Sequence, residues 1–218
     1  MWLTNSSVGR KVIMSVTGLF LVLFVTFHAL MNAVALFSFD AYEAICEFLG
    51  ANWYAVAGTL ILAGGFAIHI IFAFILTFQN RKARGNSRYE VTAKPKNVEW
   101  ASQNMLVLGL IVCCFLILHL VQFWAKMQLP ELMGEAHLSG KAALQATFSQ
   151  LWVLPVYLIG FAALWFHISH GFWSAFQTLG TANDKWITRW QCISKWWASI
   201  VFILFAVEAC YFTWFFAL

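Results

Sequence analysis

The chain has 218 residues, 62% of them apolar and only 10% charged, with a mean hydropathy of +0.76. Such a balance leaves too little polar surface to cover a soluble core, and it excludes a water-soluble domain. The formal net charge of +4 is small, and its placement marks membrane orientation rather than a nucleic-acid partner.

The first predicted element is an apolar run over about Val12–Phe37, preceded by Arg10 and Lys11. Ala33-Val34-Ala35 has the shape of a leader cleavage site, but the run is roughly twice the length of a signal-peptide core and reads as a retained span. An acidic connection with Asp40, Glu43 and Glu47 leads to a second run, about Trp53–Gln79. The polar stretch "NRKARGNSRYEVTAKPKN", with its Gly and Pro, is a loop. A third run covers about Trp100–Phe123, a fourth about Leu151–Phe176 and a fifth about Trp196–Leu218. Each can cross a hydrocarbon core of about 30 Å at about 1.5 Å per residue. No internal repeat interrupts the series. The predicted fold is therefore all-α: one integral membrane domain over residues 1–218 with five transmembrane helices.

Charge sets the expected topology. With the N-terminus inside, the inner segments hold Arg10, Lys11, Arg81, Lys82, Arg84, Arg88, Lys94, Lys96, Lys185, Arg189 and Lys195, while the outer loops hold only Lys126 and Lys141. That asymmetry predicts N-in and C-out. Tryptophans near the ends of the runs, Trp53, Trp100, Trp124, Trp152 and Trp196 among them, suit the membrane interface. The 5 cysteines are odd in number and lack C-x-x-C spacing, so they read as buried thiols rather than as a disulfide framework, a zinc site or a covalent haem attachment.

Histidines carry the chemistry. His28, His69 and His119 lie on the first three spans, His167 and His170 on the fourth, and none on the fifth; His137 falls in an outer loop. Counted from the inner edge, His28 is about 25 Å deep and His119 about 28 Å, whereas His69 and His167 are each about 15 Å deep. Four imidazoles thus fall into two levels, His69 with His167 nearer the inside and His28 with His119 nearer the outside. A low-spin haem iron takes two axial imidazoles from opposite sides, so this pattern predicts two b-type haems stacked across the first four helices. His170 is one turn from His167, and spacing favours His167 as the fourth ligand while leaving His170 open. Gly171 would let a flat macrocycle approach the backbone.

The stretches "SVTGLFLVLFVTFHAL", "IHIIFAF", "LHLVQ" and "FHISHGFWSAF" surround these histidines. Together with the helix number and topology, they make the whole chain resemble the single-subunit, five-helix, dihaem cytochrome b anchor of succinate:quinone oxidoreductases, that is, succinate dehydrogenase or quinol:fumarate reductase. The resemblance implies iron ligation by His28 and His119 (outer haem) and by His69 and His167 (inner haem). The fourth ligand of such anchors stands four residues before a glycine, as His167 does before Gly171. His170 is then left to hydrogen-bond nearby, for example to a haem propionate. Also implied are a flavoprotein subunit and an iron–sulfur subunit as partners, a quinone (menaquinone or ubiquinone) as electron acceptor or donor, and a bacterial inner membrane. The chain has neither a dinucleotide glycine fingerprint nor cluster cysteines, so it does not oxidise succinate alone. Trp165 replaces a glutamate that some dihaem fumarate reductases use for proton movement. No quinone-site motif maps onto the chain; Asp40, Glu43, Glu47 and Glu208 are the candidates for its proton chemistry.

Rival readings make different demands. A bc-type cytochrome would place two histidines about four turns apart on each of two helices, and the membrane cytochromes of hydrogenases and formate dehydrogenases have another helix and ligand layout. A proton-coupled transporter would show repeats and discontinuous helices, and a haem-free anchor would leave the depth pairing without a purpose.

Overall fold

The computed structural model describes residues 2–50, 52–84 and 99–218. All regular structure among them is helical. A short helix α1 (Trp2–Asn5) folds back on α2 (Ser7–Ala33). Ser6 caps α2 by accepting a hydrogen bond from the Gly9 amide at 2.9 Å. Gly9 itself touches Leu3, and a Cβ there would lie 2.5 Å from the Leu3 carbonyl oxygen, so the hook closes only on glycine. A 3₁₀ turn (Val34–Leu36) ends the first span, and α3 (Phe39–Phe48) follows, capped by Ser38. The second span is α4 (Trp53–Arg84); α5 (Trp100–Gln103) is a single turn set off at Asn104 from the third span, α6 (Met105–Gln122). Two short helices, α7 (Gln128–Leu132) and α8 (Gly140–Phe148), precede the fourth and fifth spans, α9 (Val153–Thr178) and α10 (Trp186–Ala217).

Five of these, α2, α4, α6, α9 and α10, are long and apolar enough to cross a membrane, with mean hydropathies of 2.2, 2.4, 2.6, 1.5 and 2.0 over their best windows. The chain is an integral membrane protein. The fifth span starts ten residues before the expected Trp196. Lys185, Arg189 and Lys195 lower the local hydropathy there, but capping decides the boundary. Gly180, at φ 80°, ends α9 in a left-handed turn closed by the Thr181 amide on the Phe176 carbonyl (3.0 Å). The Asn183 side chain then accepts from the Lys185 and Trp186 amides at 3.1 Å and starts α10.

Packing centres on α9, which lies closely along α10 and also against α2 and α6. Side-chain bonds tie the spans: buried Ser194 donates to the Ser169 carbonyl (2.6 Å), and the half-buried Trp165 and Trp197 donate to Ser199 (2.9 Å) and Thr26 (2.9 Å). By contrast α4 packs on α2 and on no other span with comparable closeness, and no residue of its apolar stretch is fully buried. At one end of the bundle α3 and α8 form a cap whose Tyr42, Leu144 and Phe148 join Tyr157, Phe161, Phe205 and Phe212 in the main apolar core. This is the cap end; the opposite end, where α2 begins and α4 finishes, carries Arg10, Lys11, Arg81 and Lys82 and is the basic end.

Candidate functional site

Two imidazole pairs occupy two levels of the bundle. At the cap level, His28 of α2 meets His119 of α6 with ring centroids 5.7 Å apart and planes at 85°. At the basic level, His69 of α4 meets His167 of α9 at 6.2 Å and 69°. The helices bring these rings together because α2 and α6 run toward the cap and α4 and α9 run away from it. His69 and His167 approach each other although α4 and α9 do not pack closely, so the imidazoles span a gap between helices.

The distance has chemical content. An imidazole nitrogen binds a transition-metal ion such as zinc at about 2.0–2.1 Å, and with the reach from nitrogen to ring centre on each side, two rings sharing one ion have centroids about 6 Å apart. Among the described residues no group of three or more His, Cys, Asp or Glu is placed to hold a metal ion. Two donors suit a metal that brings its own equatorial ligands, as iron in a porphyrin does. The donor set and the spacing therefore fit a bis-imidazole haem at each level.

The surroundings support the same chemistry. Thr17 donates to the Ile13 carbonyl at 2.8 Å, and its oxygen lies 3.2 Å from His69 Nδ1. A hydroxyl already donating accepts at that contact, which assigns the proton to Nδ1 and leaves the Nε2 lone pair free. At the cap level Tyr157 donates to Gln122 Oε1 at 2.7 Å, with both residues buried, and its oxygen is 3.5 Å from His119 Nδ1. His167 Nδ1 is buried with no hydrogen-bond partner among the described residues. Gly18 makes room for a basic-level ring, since a Cβ there would lie 3.3 Å from His69 Cε1, while Gly109 lies beside His167, where a Cβ would make ordinary contact at 3.6 Å. Beside Gly171 a Cβ would meet nothing within 4 Å, so that flank of α9 is open. Aromatic rings line the cap level, with Phe24 stacked on His28 at 5.6 Å and Phe123 5.0 Å from His119.

No protein-family model, curated protein or solved structure matches this chain. The site stands on its own geometry.

His170 is placed apart from both pairs. Its Nδ1 lies 3.2 Å from Glu99 Oε2, and Lys195 Nζ lies 3.4 Å from the other Glu99 oxygen, so one carboxylate joins the start of α5 to α9 and α10. Burial alone would raise the Glu99 carboxyl, but the bonds from His170 and Lys195 outweigh it and hold the group below the ordinary carboxylate range. The imidazole expected to reach a propionate thus has a protein carboxylate as its partner. Glu99 is the last charged residue before the third span, and that position was its signal in the sequence; Thr17, Tyr157 and Gln122 gave none, being unremarkable residues of apolar runs.

The acidic candidates separate as well. Glu43 accepts from Ser139 Oγ (2.8 Å) and from the Gly140 (2.9 Å) and Lys141 (2.8 Å) amides, so it anchors α8 to α3. Asp40 and Glu47 are exposed, whereas Glu208 is buried in α10. His137 is exposed and stands outside the bundle.

Proposed function

We propose that the chain is the membrane anchor and electron-transfer subunit of a succinate:quinone oxidoreductase, carrying two b-type haems. One observation carries the reading: four imidazoles from four different spans meet as two pairs at two levels, at metal-sharing distance and without a third donor. When bound, the haems supply one-electron chemistry at each level. The chain's own part is to present four neutral imidazoles, to orient His69 through Thr17 and His119 through Tyr157, and to exclude water with apolar walls. His69 and His167 hold the inner haem, and His28 and His119 the outer one. The basic end faces the cytoplasm by the positive-inside rule and takes electrons from an iron–sulfur subunit, itself served by a flavoprotein. A quinone, menaquinone or ubiquinone, reacts near the outer pair.

The test is an optical and haem-content assay of the purified chain. Two non-covalent low-spin haems are expected. His69→Ala and His167→Ala should each lose the inner haem, His28→Ala and His119→Ala the outer, and His170→Ala neither. A wild-type protein without haem absorption refutes the reading; loss of a haem in His170→Ala with retention in His167→Ala reassigns the fourth ligand. In the assembled complex, amide replacements of Asp40, Glu47 and Glu208 should single out any quinone-site acid, by loss of quinone-linked turnover while dye-linked succinate oxidation persists.

A further inference from the structure

The second span supplies His69 but has few fastenings, and one side chain at the cap end makes three of them. Gln128, the first residue of α7, is half-buried. Its Oε1 accepts from Thr59 Oγ1 on α4 at 3.0 Å and from Trp124 Nε1, just past α6, at 2.9 Å. Its Nε2 donates to the carbonyl of Gly50, ahead of α4, at 3.1 Å. One amide thus joins α4, the link before it and the end of α6. Among the described residues no other side-chain hydrogen bond runs from α4 to α6, α7 or α9; Tyr54 bonds the Phe48 carbonyl at the end of α3, and His69 meets Thr17 on α2.

Elsewhere α4 leans on α2. Of its three glycines only Gly65 is closely packed: a Cβ there would lie 2.7 Å from Phe20 Cε1, whereas beside Gly58 and Gly64 it would meet nothing within 4 Å. The next residue, Phe66, meets Phe24 of α2 edge-on with ring centroids 6.4 Å apart. This contact lies between Gln128's partner and the histidine. Thr59 is about 9 Å before Gly65 along the helix and His69 about 6 Å after it. A helix resting on its neighbour at one place tilts about that place. Freeing Thr59 on one side therefore displaces His69 on the other, from Thr17 and from His167 alike. The cap-level histidines are mounted differently, on α2 and α6, both of which pack along α9.

We propose that Gln128 is a positioning residue for the basic-level site: by strapping α4 to the cap end, it holds His69 opposite His167. A ligand group has to be kept within about 0.5 Å of its productive place, which a span resting on one neighbour does not ensure without a second fastening. The effect acts at a distance. Gln128 stands at the cap end, yet the histidine it governs lies about 15 Å farther along α4. The inference rests on the haem reading above.

Transfer of haem from the purified chain to apomyoglobin, followed separately for the two haems, tests it; His69→Ala and His28→Ala proteins identify the inner and outer bands. Thr59→Val keeps the shape of the side chain and removes only the α4 end of the strap. It and Gln128→Leu should each release the inner haem about fivefold faster than the wild type, or be purified without it, while the outer haem leaves within about twofold of the wild-type rate. Thr59→Ser retains the hydroxyl and should restore the wild-type rate. The low-spin electron paramagnetic resonance signal of the inner haem reports the angle between its two imidazoles, and it should shift in Thr59→Val and not in Thr59→Ser. If Gln128→Leu does not accumulate, Thr59→Val decides. Unchanged rates, equal acceleration of both haems, or faster loss of the outer haem alone overturns the proposal. A wild-type chain without low-spin haem overturns instead the reading beneath it.

Discussion

An imidazole becomes a useful ligand when its second nitrogen has somewhere to put its proton. His69 meets that condition through Thr17, and His119 through Tyr157. Thr17→Val and Tyr157→Phe keep the shape of each site and remove the acceptor, so each should weaken haem retention at its own level roughly 10- to 100-fold while leaving the other level unchanged. Competition by apomyoglobin for the bound haem would measure this. Glu99 makes a different prediction, because its carboxyl is held below the ordinary range. A carboxylate depressed in the folded state stabilises it above the unfolded-state pKa, and that contribution is lost as pH falls through the lower folded-state value. Thermal melts from neutral to acid pH should therefore show a loss of about 1 kcal/mol or less in the wild type that is missing in Glu99→Gln, and salt should reduce it. At this scale the histidines were readable, since an imidazole stands out in an apolar run and its depth follows from counting. Their partners were not. Thr17 and Gln122 matter through a rotamer and a helix crossing, which no pattern in one chain records.

Among the elements, the start of α8 is hydrogen-bonded to α3 through one side chain. Three hydrogen bonds run from the first residues of α8 to Glu43 on α3, a carboxylate meeting the amides that a helix start leaves unpaired. Glu43→Ala should cost about 2 kcal/mol and lower the melting temperature. Haem content and the potential of the inner haem should stay unchanged, which would separate this residue from the quinone chemistry for which it was a candidate. Helix number and the core of each span followed from hydropathy, because about 20 apolar residues have few alternatives to a spanning helix. The early start of α10 did not, since its first turns are charged. Gly180 and Asn183 were in plain view, but a left-handed turn followed by an amide cap competes poorly with a charge count when only the sequence is read. The short cap helices were hidden for the opposite reason: their stability comes from burying Tyr42, Leu144 and Phe148 against α9 and α10, a tertiary effect.

For the whole molecule, length and charge set the basic end apart. The 32 residues of α10 make a rod of about 48 Å, well beyond a hydrocarbon core of about 30 Å. Its length lets the first turns, with Arg189, extend past the hydrocarbon at the basic end, the end where Arg81 and Lys82 of α4 are exposed. The remaining basic residues of that loop, Arg88, Lys94 and Lys96, lie outside the described residues. If the proposed iron–sulfur partner docks at this end, reversing Arg81, Lys82 and Arg84 together should reduce co-purification with it several-fold at low salt; unchanged recovery would leave those charges as topology markers only. The loose attachment of α4 bears on how the protein is made. Spans leave the ribosome in order, so the α2–α4 hairpin enters the membrane first, and its main contacts form only when α9 and α10, synthesised last, arrive. His28 has no partner imidazole until His119 is made on the third span, and His69 none until His167 on the fourth. The nascent chain therefore passes through an open interval in which each imidazole pair is incomplete, and the fold closes only when the final helix packs along α9.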